Sequence, residues 1–259
     1  MTGNSSQILI FNKRLFMKNF LAALVIGIAV IVSSWIASSA FKYKSKAMET
    51  IVVTGLAEKD FGSDLIVWNA SYSRKSMDLK TSYAQVKQDE NSIRSYLTSK
   101  GVDNSSIVFS SVNINKEFSN TTDENGRLTN QQFTGYNLAQ SVTVQSSDVE
   151  KIEKISRESA ELIENGIEFN SSPPAYYNTK LTEVKMELLA KASADARQRA
   201  EAIAKNAGSV LGKLKKATMG VFQITGKNSN EDYSYGGAFN TSSKSKTGSI
   251  TIKMEFAVE

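Results

Sequence analysis

Between residues 49 and 259 the chain alternates two kinds of apolar spacing, one residue apart and three or four apart, and the switches between them mark the elements. Ile51 and Val53 alternate with Val52 and Thr54, and Leu65–Ile66–Val67–Trp68 leads into Asn69–Ala70–Ser71–Tyr72. Two strands are expected, joined as a hairpin through Asp60–Phe61–Gly62–Ser63. Asp78 then caps a helix with apolar positions Leu79, Tyr83, Val86, Ile93 and Leu97, ending at Gly101. A second hairpin pairs residues 107–114 with 133–144 across the turn dipeptide Asn125–Gly126. Ser147–Asp148–Val149–Glu150 opens a second helix that turns Val149, Ile152, Ile155 and Leu162 inward and stops near Gly166. A short strand, Ile167–Glu168–Phe169, runs into Pro173–Pro174, which can continue neither a helix nor a central strand.

The third and longest helix covers residues 179–206. It carries Leu181, Val184, Leu188, Ala192, Ala196, Ala200, Ile203 and Ala207 on one stripe, and Glu187–Lys191, Asp195–Arg199 and Glu201–Lys205 pairs on a face expected to be solvated. Residues 210–224 contain one strand, and residues 249–258 form another whose apolar and polar positions alternate without a miss. Between them, residues 225–247 are polar and read as a mobile loop. The predicted fold class is α+β, antiparallel hairpins packed with three amphipathic helices in the order ββαββ, αβα, ββ.

Ahead of this stretch, residues 19–41 contain no charge, and residues 20–32 are apolar apart from Gly27. Twenty-one helical residues span about 31 Å, the thickness of a bilayer core. The expected organisation is a cytoplasmic segment 1–19, a transmembrane signal-anchor 20–41, a basic linker 42–48 and an exported domain 49–259. A cleaved signal peptide ending near Ala40 is the alternative, and the start stands open between Met1 and Met17. Lys13, Arg14 and Lys18 on one flank and Lys42, Lys44 and Lys46 on the other leave orientation weakly marked.

The net charge of +5 belongs to this N-terminal part. Residues 1–48 hold six basic residues and no acid, which leaves 25 basic against 26 acidic residues beyond them. The domain has no overall basic field for nucleic acid. With neither Cys nor His, the chain has no Ser-His-Asp triad, no thiol nucleophile and no imidazole or thiolate metal site. Asp123–Glu124–Asn125–Gly126 lacks the spacing of a calcium loop and reads as a turn. Asp89–Glu90 and Glu231–Asp232 are sequence neighbours rather than a facing carboxylate pair, and Trp68 reads as core. No catalytic, metal-binding or cofactor-binding residue is assigned, and no cofactor is expected. Tyr233, Tyr235 and Phe239, aromatic residues in a Gly/Ser-rich loop, are the candidate partner-binding residues; folding back onto their own domain is the competing reading.

These elements resemble the SIMPL-domain (DUF541) family of bacterial envelope proteins, which includes a periplasmic protein associated with oxidative stress and a surface antigen. The resemblance rests on Ile51–Val52–Val53–Thr54–Gly55 with Ala57–Glu58, Leu97–Thr98–Ser99–Lys100–Gly101–Val102 leading to Ile107, and residues 136–144 followed by Asp148–Val149. It also rests on Asn165–Gly166–Ile167, the Ala/Asp/Arg-rich run 192–204, Gly208 and Leu211–Gly212. Leu56 departs from it, standing where an acidic or small polar residue is more typical. The resemblance implies an exported or membrane-anchored domain that assembles with itself, in ring-like fashion, and is associated with envelope or oxidative-stress tolerance; it brings no catalytic residue. The expected protein is therefore a non-enzymatic inner-membrane-anchored one with residues 49–259 periplasmic or extracytoplasmic, its partners being the membrane and its own copies, with no nucleic acid and no identified small molecule. The alternatives are release to the periplasm after cleavage and, in function, a binding module that takes a cell-wall glycan, peptide or protein through residues 225–247.

Overall fold

The computed structural model describes residue 24, residues 26–41 and residues 49–258. Residues 26–41 form helix α1, which is exposed along its whole length. The expected segment 1–19, the first residues of the apolar span and the linker 42–48 lie outside the described residues. Among the described residues no helix is long and apolar enough to cross a membrane.

From Thr50 the order is β1 (Thr50–Gly62), β2 (Leu65–Ser76), α2 (Leu79–Ser99), β3 (Ile107–Phe109), β4 (Asn113–Thr122) and β5 (Leu128–Ser146). Next come α3 (Val149–Glu158), α4 (Glu161–Glu164), β6 (Glu168–Ser171), β7 (Ala175–Tyr177) and α5 (Leu181–Asn206). β8 (Leu211–Met219), β9 (Gln223–Gly226) and β10 (Ser245–Val258) end the chain. The class is α+β with antiparallel pairing, as expected, but the element count is larger. The second predicted helix divides at Ser159–Ala160, where the buried Ser159 hydroxyl donates to the Ser156 carbonyl at 2.9 Å. β7 follows the two prolines, and residues 210–224 hold two strands in place of one.

The chain divides into two units. The smaller holds residues up to Thr54, 196–218 and 253 onward; the larger holds 55–195 and 219–252. β1, α5, β8 and β10 contribute residues to both. One sheet runs β1-β10-β8 with β9 also on β10; the other runs β3-β5-β2-β6 with β4 on β5 and β7 on β2. The expected β1–β2 hairpin is therefore corrected: β1 and β2 belong to different sheets. Both edges of β2 are occupied, one by β5 (Trp68 opposite Val144) and the other by β6 and β7 (Tyr72 opposite Phe169, Ile66 opposite Tyr176). The two-residue link is fixed from outside, Ser63 N–H donating to the Lys244 carbonyl at 2.9 Å and Asp64 N–H to that of Tyr177 at 3.0 Å.

The core of the larger unit gathers Ile66, Trp68 and Tyr72 of β2, Leu138, Val142 and Val144 of β5, and Val86, Ile93 and Leu97 of α2. α3 and α4 add Ile152, Ile155 and Leu162. The inward face of α2 is Ser82, Val86, Asp89, Ile93 and Leu97; Leu79 and Tyr83, expected inside, are exposed. On α5 the buried stripe is Val184, Leu188 and Ala192 in the larger unit, then Ala196, Ala200 and Ala204 in the smaller, while Ile203 is exposed. Leu188 lies close over β10, its Cδ1 3.1 Å from where a Cβ on Gly248 would stand.

β5 outruns β2 at Tyr136, opposite Ser76, and continues as a two-stranded arm with β4 alone. The bend is at Gly135, φ 132°, where a Cβ would stand 2.8 Å from the Ser76 carbonyl oxygen. Phe118, Phe133 and Tyr136 stack edge to face at the arm's base, with centroids 5.7 and 5.1 Å apart, and Ile114, Phe118 and Leu128 are exposed. In the smaller unit the ends of the domain meet, Val258 N–H donating to the Glu49 carbonyl at 3.2 Å.

Candidate functional site

The segment expected as a mobile loop begins and ends in strand. Thr225 and Gly226 belong to β9 and residues 245–247 to β10, with Thr225 opposite Thr247 and Gly226 opposite Lys246. The polar residues that mark the remainder as loop are the ones that fold it. The Gln223 side chain accepts from Ser234 N–H at 3.1 Å and Ala238 N–H at 2.7 Å and donates to the Ser234 carbonyl at 2.9 Å. Buried Lys246 donates from Nζ to the carbonyls of Asn240 at 2.6 Å and Ser243 at 2.7 Å, and burial holds its pKa below the usual lysine value. Glu231 accepts from Gly226 N–H at 2.9 Å and from Asn240, and these bonds, the backbone one first, hold its carboxyl below the ordinary range.

Folded this way, the loop closes one side of an open depression of about 340 Å³. Leu56 of β1, Val221, Gln223 of β9, Tyr233–Ser234–Tyr235 and Ser249–Ile250–Thr251 of β10 line it. Tyr233 crosses the outer face of the sheet, its hydroxyl accepting from Ser249 at 3.1 Å and lying 3.5 Å from Glu58 Oε1. Tyr235 is fully exposed, with relative exposure 103%. Two of the three predicted aromatics thus come together. Phe239 does not join them; it forms an isolated parallel bridge with Ile224 and is itself exposed.

Leu56, Val221, Ser249 and Thr251 were missed by sequence reasoning. The available signal was strand parity: Leu56 sits on the exposed face of β1 with Val52, and Thr251 on that of β10. Leu56 supplies exposed apolar surface here. The arrangement offers aromatic faces, an aliphatic floor and hydroxyls, which suits stacking and contact binding.

The carboxylate neighbours are held in separate structures. Asp89 is buried and takes a bidentate grip from Arg74 at 2.6 and 2.8 Å. Glu90 accepts from Lys87 at 2.6 Å and from Gln140 Nε2 at 3.1 Å. Gln140 in turn accepts from the buried Tyr72 hydroxyl at 2.7 Å, and burial first, then Glu90, pushes the Tyr72 pKa up. Asp123 accepts from Asn125 and Arg127 N–H at 2.9 and 2.8 Å, a turn. Among the described residues no group of three or more acidic, His or Cys side chains is placed to hold a metal.

The family model described as SIMPL, protein of unknown function (DUF541), matches residues 51–258. No curated protein matches the chain.

Proposed function

The chain belongs to the SIMPL family over residues 51–258, and on that premise we propose that it is a membrane-anchored, non-enzymatic envelope protein whose domain assembles with further copies of itself. The observation that carries the anchor is α1. Leu24, Ile26, Ile28, Val30, Ile31, Val32, Trp35, Ile36 and Phe41 are large, apolar and exposed together. A helix that exposes this many large apolar side chains needs a cover, and hydrocarbon provides one without a specific partner. Assembly is supported by the β4–β5 arm. A two-stranded ribbon is marginal alone in water, and this one presents Phe118 and Leu128 to solvent. A role in envelope or oxidative-stress tolerance extends the same reading through the resemblance.

Light scattering on the detergent-solubilised full-length protein, beside the 49–259 fragment, tests it. Both should run as the same multiple of the chain mass, and a Phe118→Glu/Leu128→Glu double substitution should lower that multiple. A monomer at every concentration overturns assembly. Release of the full-length chain by alkaline carbonate, or a mature N-terminus near Phe41, overturns the anchor. The aromatic depression favours a second reading, an extracytoplasmic binding module, for which Tyr235→Ala should weaken capture of a cell-wall glycan, peptide or protein with the fold intact.

A further inference from the structure

Charge is unevenly divided between the two units. Counted from residue 49, the larger unit carries 18 basic against 22 acidic residues, and the smaller carries seven basic against four acidic. A domain that is nearly neutral as a whole thus has a net of +3 on its smaller unit and −4 on its larger one. The linker sequence running into the smaller unit adds Lys42, Lys44 and Lys46 and no acid.

Three of the smaller unit's seven basic residues, Lys213, Lys215 and Lys216, stand on an open strand. β8 ends its sheet, and every residue from Lys213 to Met219 is exposed, so neither face is covered. Lys213 points to one side and Lys216 to the other. Lys216 shares a shallow depression with Lys253 of β10, Val52, Thr218 and Glu255. Leu214 and Met219 add exposed aliphatic surface on the same strand. Such an edge disfavours its own copy as partner, because paired lysines repel and edge lysines resist strand addition. It suits a surface that is anionic outside and apolar just beneath, where ammonium groups meet phosphates and aliphatic side chains reach the interface. Chain length keeps such a surface within reach: nine residues from Phe41 to Thr50 extend at most about 30 Å.

We infer that β8, with Lys253, lies against the anionic lipid headgroups of the membrane that holds α1, an inference that rests on the anchored reading above. The domain then sits on the bilayer by its basic unit, held by charge as well as by the tether.

The absence of cysteine allows a clean test. Full-length Thr218→Cys, carrying one fluorophore, is reconstituted into phosphatidylcholine vesicles with and without phosphatidylglycerol, both containing a headgroup-nitroxide lipid. Quenching should be strong only with phosphatidylglycerol and should fade with added salt. Lys213→Gln/Lys216→Gln should lower the docked-to-undocked ratio about 25-fold, from about five-fold per lysine near an anionic surface. Equal quenching in the two vesicles, or a label shielded in both as by a protein partner or second copy, overturns the inference while leaving the anchor standing. A chain extracted by carbonate removes the anchor alone. In that case salt-sensitive co-flotation with phosphatidylglycerol vesicles that the double substitution weakens upholds the surface, and its absence overturns it.

Discussion

Asp89 is a charged residue on the inward face of a helix, and its neighbour in space explains why the helix tolerates it. Arg74 of β2 grips both carboxylate oxygens, so the charge leaves water without losing its partners. Arg74→Ala would strand a buried carboxylate and should lower stability by about 3 kcal/mol in urea unfolding, whereas replacing both residues with leucine should cost less. Apolar spacing at the helical period on α2 favoured Leu79 and Tyr83 as inward positions, because periodicity weighs apolar side chains and takes no account of a partner fifteen residues upstream. Asp195 taught the same lesson: assigned to a solvated face, it accepts the Leu56 backbone N–H at 2.9 Å. Glu187 keeps its predicted bond to Lys191 at 2.8 Å but also meets Lys59 of β1, and the two lysines, Lys191 first, lower its pKa from 4.5 to about 2. A depressed carboxyl stabilises the fold fully above the unfolded value and less as pH falls toward the folded one. Urea midpoints should therefore drop between pH 4.5 and 2, and Glu187→Gln should flatten part of that drop.

Elements were legible where one strip of chain determines them and illegible where pairing does. The alternation in β10 foretold its buried face, Ile250, Ile252, Met254 and Phe256. The Ala stripe of α5 was read correctly as far as Ala200, after which the inward position passes to Ala204. The β1–β2 hairpin failed because nothing in either strand says that β5, β6 and β7 will occupy both edges of β2. The 225–247 segment was misread at its ends for a related reason, since Gln, Asn and Lys describe a loop equally well whether they face water or bond to its own backbone. Tyr233 and Tyr235 were legible as loop aromatics, but the floor beneath them came from strands brought alongside by the sheet. Gly135 shows how much one position can set. A side chain there meets a backbone oxygen at 2.8 Å in a conformation that L residues rarely adopt, so the neighbour cannot yield cheaply. Gly135→Ala should cost about 2 kcal/mol or more in thermal or urea unfolding. Gly126→Ala at the arm's tip, with nothing within 4 Å, should cost less.

At the scale of the whole molecule, α+β class could be read from pattern alone, and the division of charge could not. The net of −1 beyond residue 48 hides two opposite halves because the smaller unit draws on three separate stretches of chain. One of its contacts, the bond between Val258 N–H and the Glu49 carbonyl, ties the end of the domain to its beginning. The first strand made is therefore completed by the last one to arrive. A domain crossing a membrane behind its anchor would wait on the far side with β1 unpaired and its backbone groups open to any neighbouring strand. The non-local pairing also predicts slow folding for the domain's length, because closure spans nearly the entire sequence. A chain cut after Gly248 should remain protease-sensitive throughout the smaller unit, although the six-stranded sheet draws no strand from the missing residues. Translation order and architecture are opposed here: the smaller unit stays unfinished until the domain's final residues have emerged, long after the last strand of the six-stranded sheet.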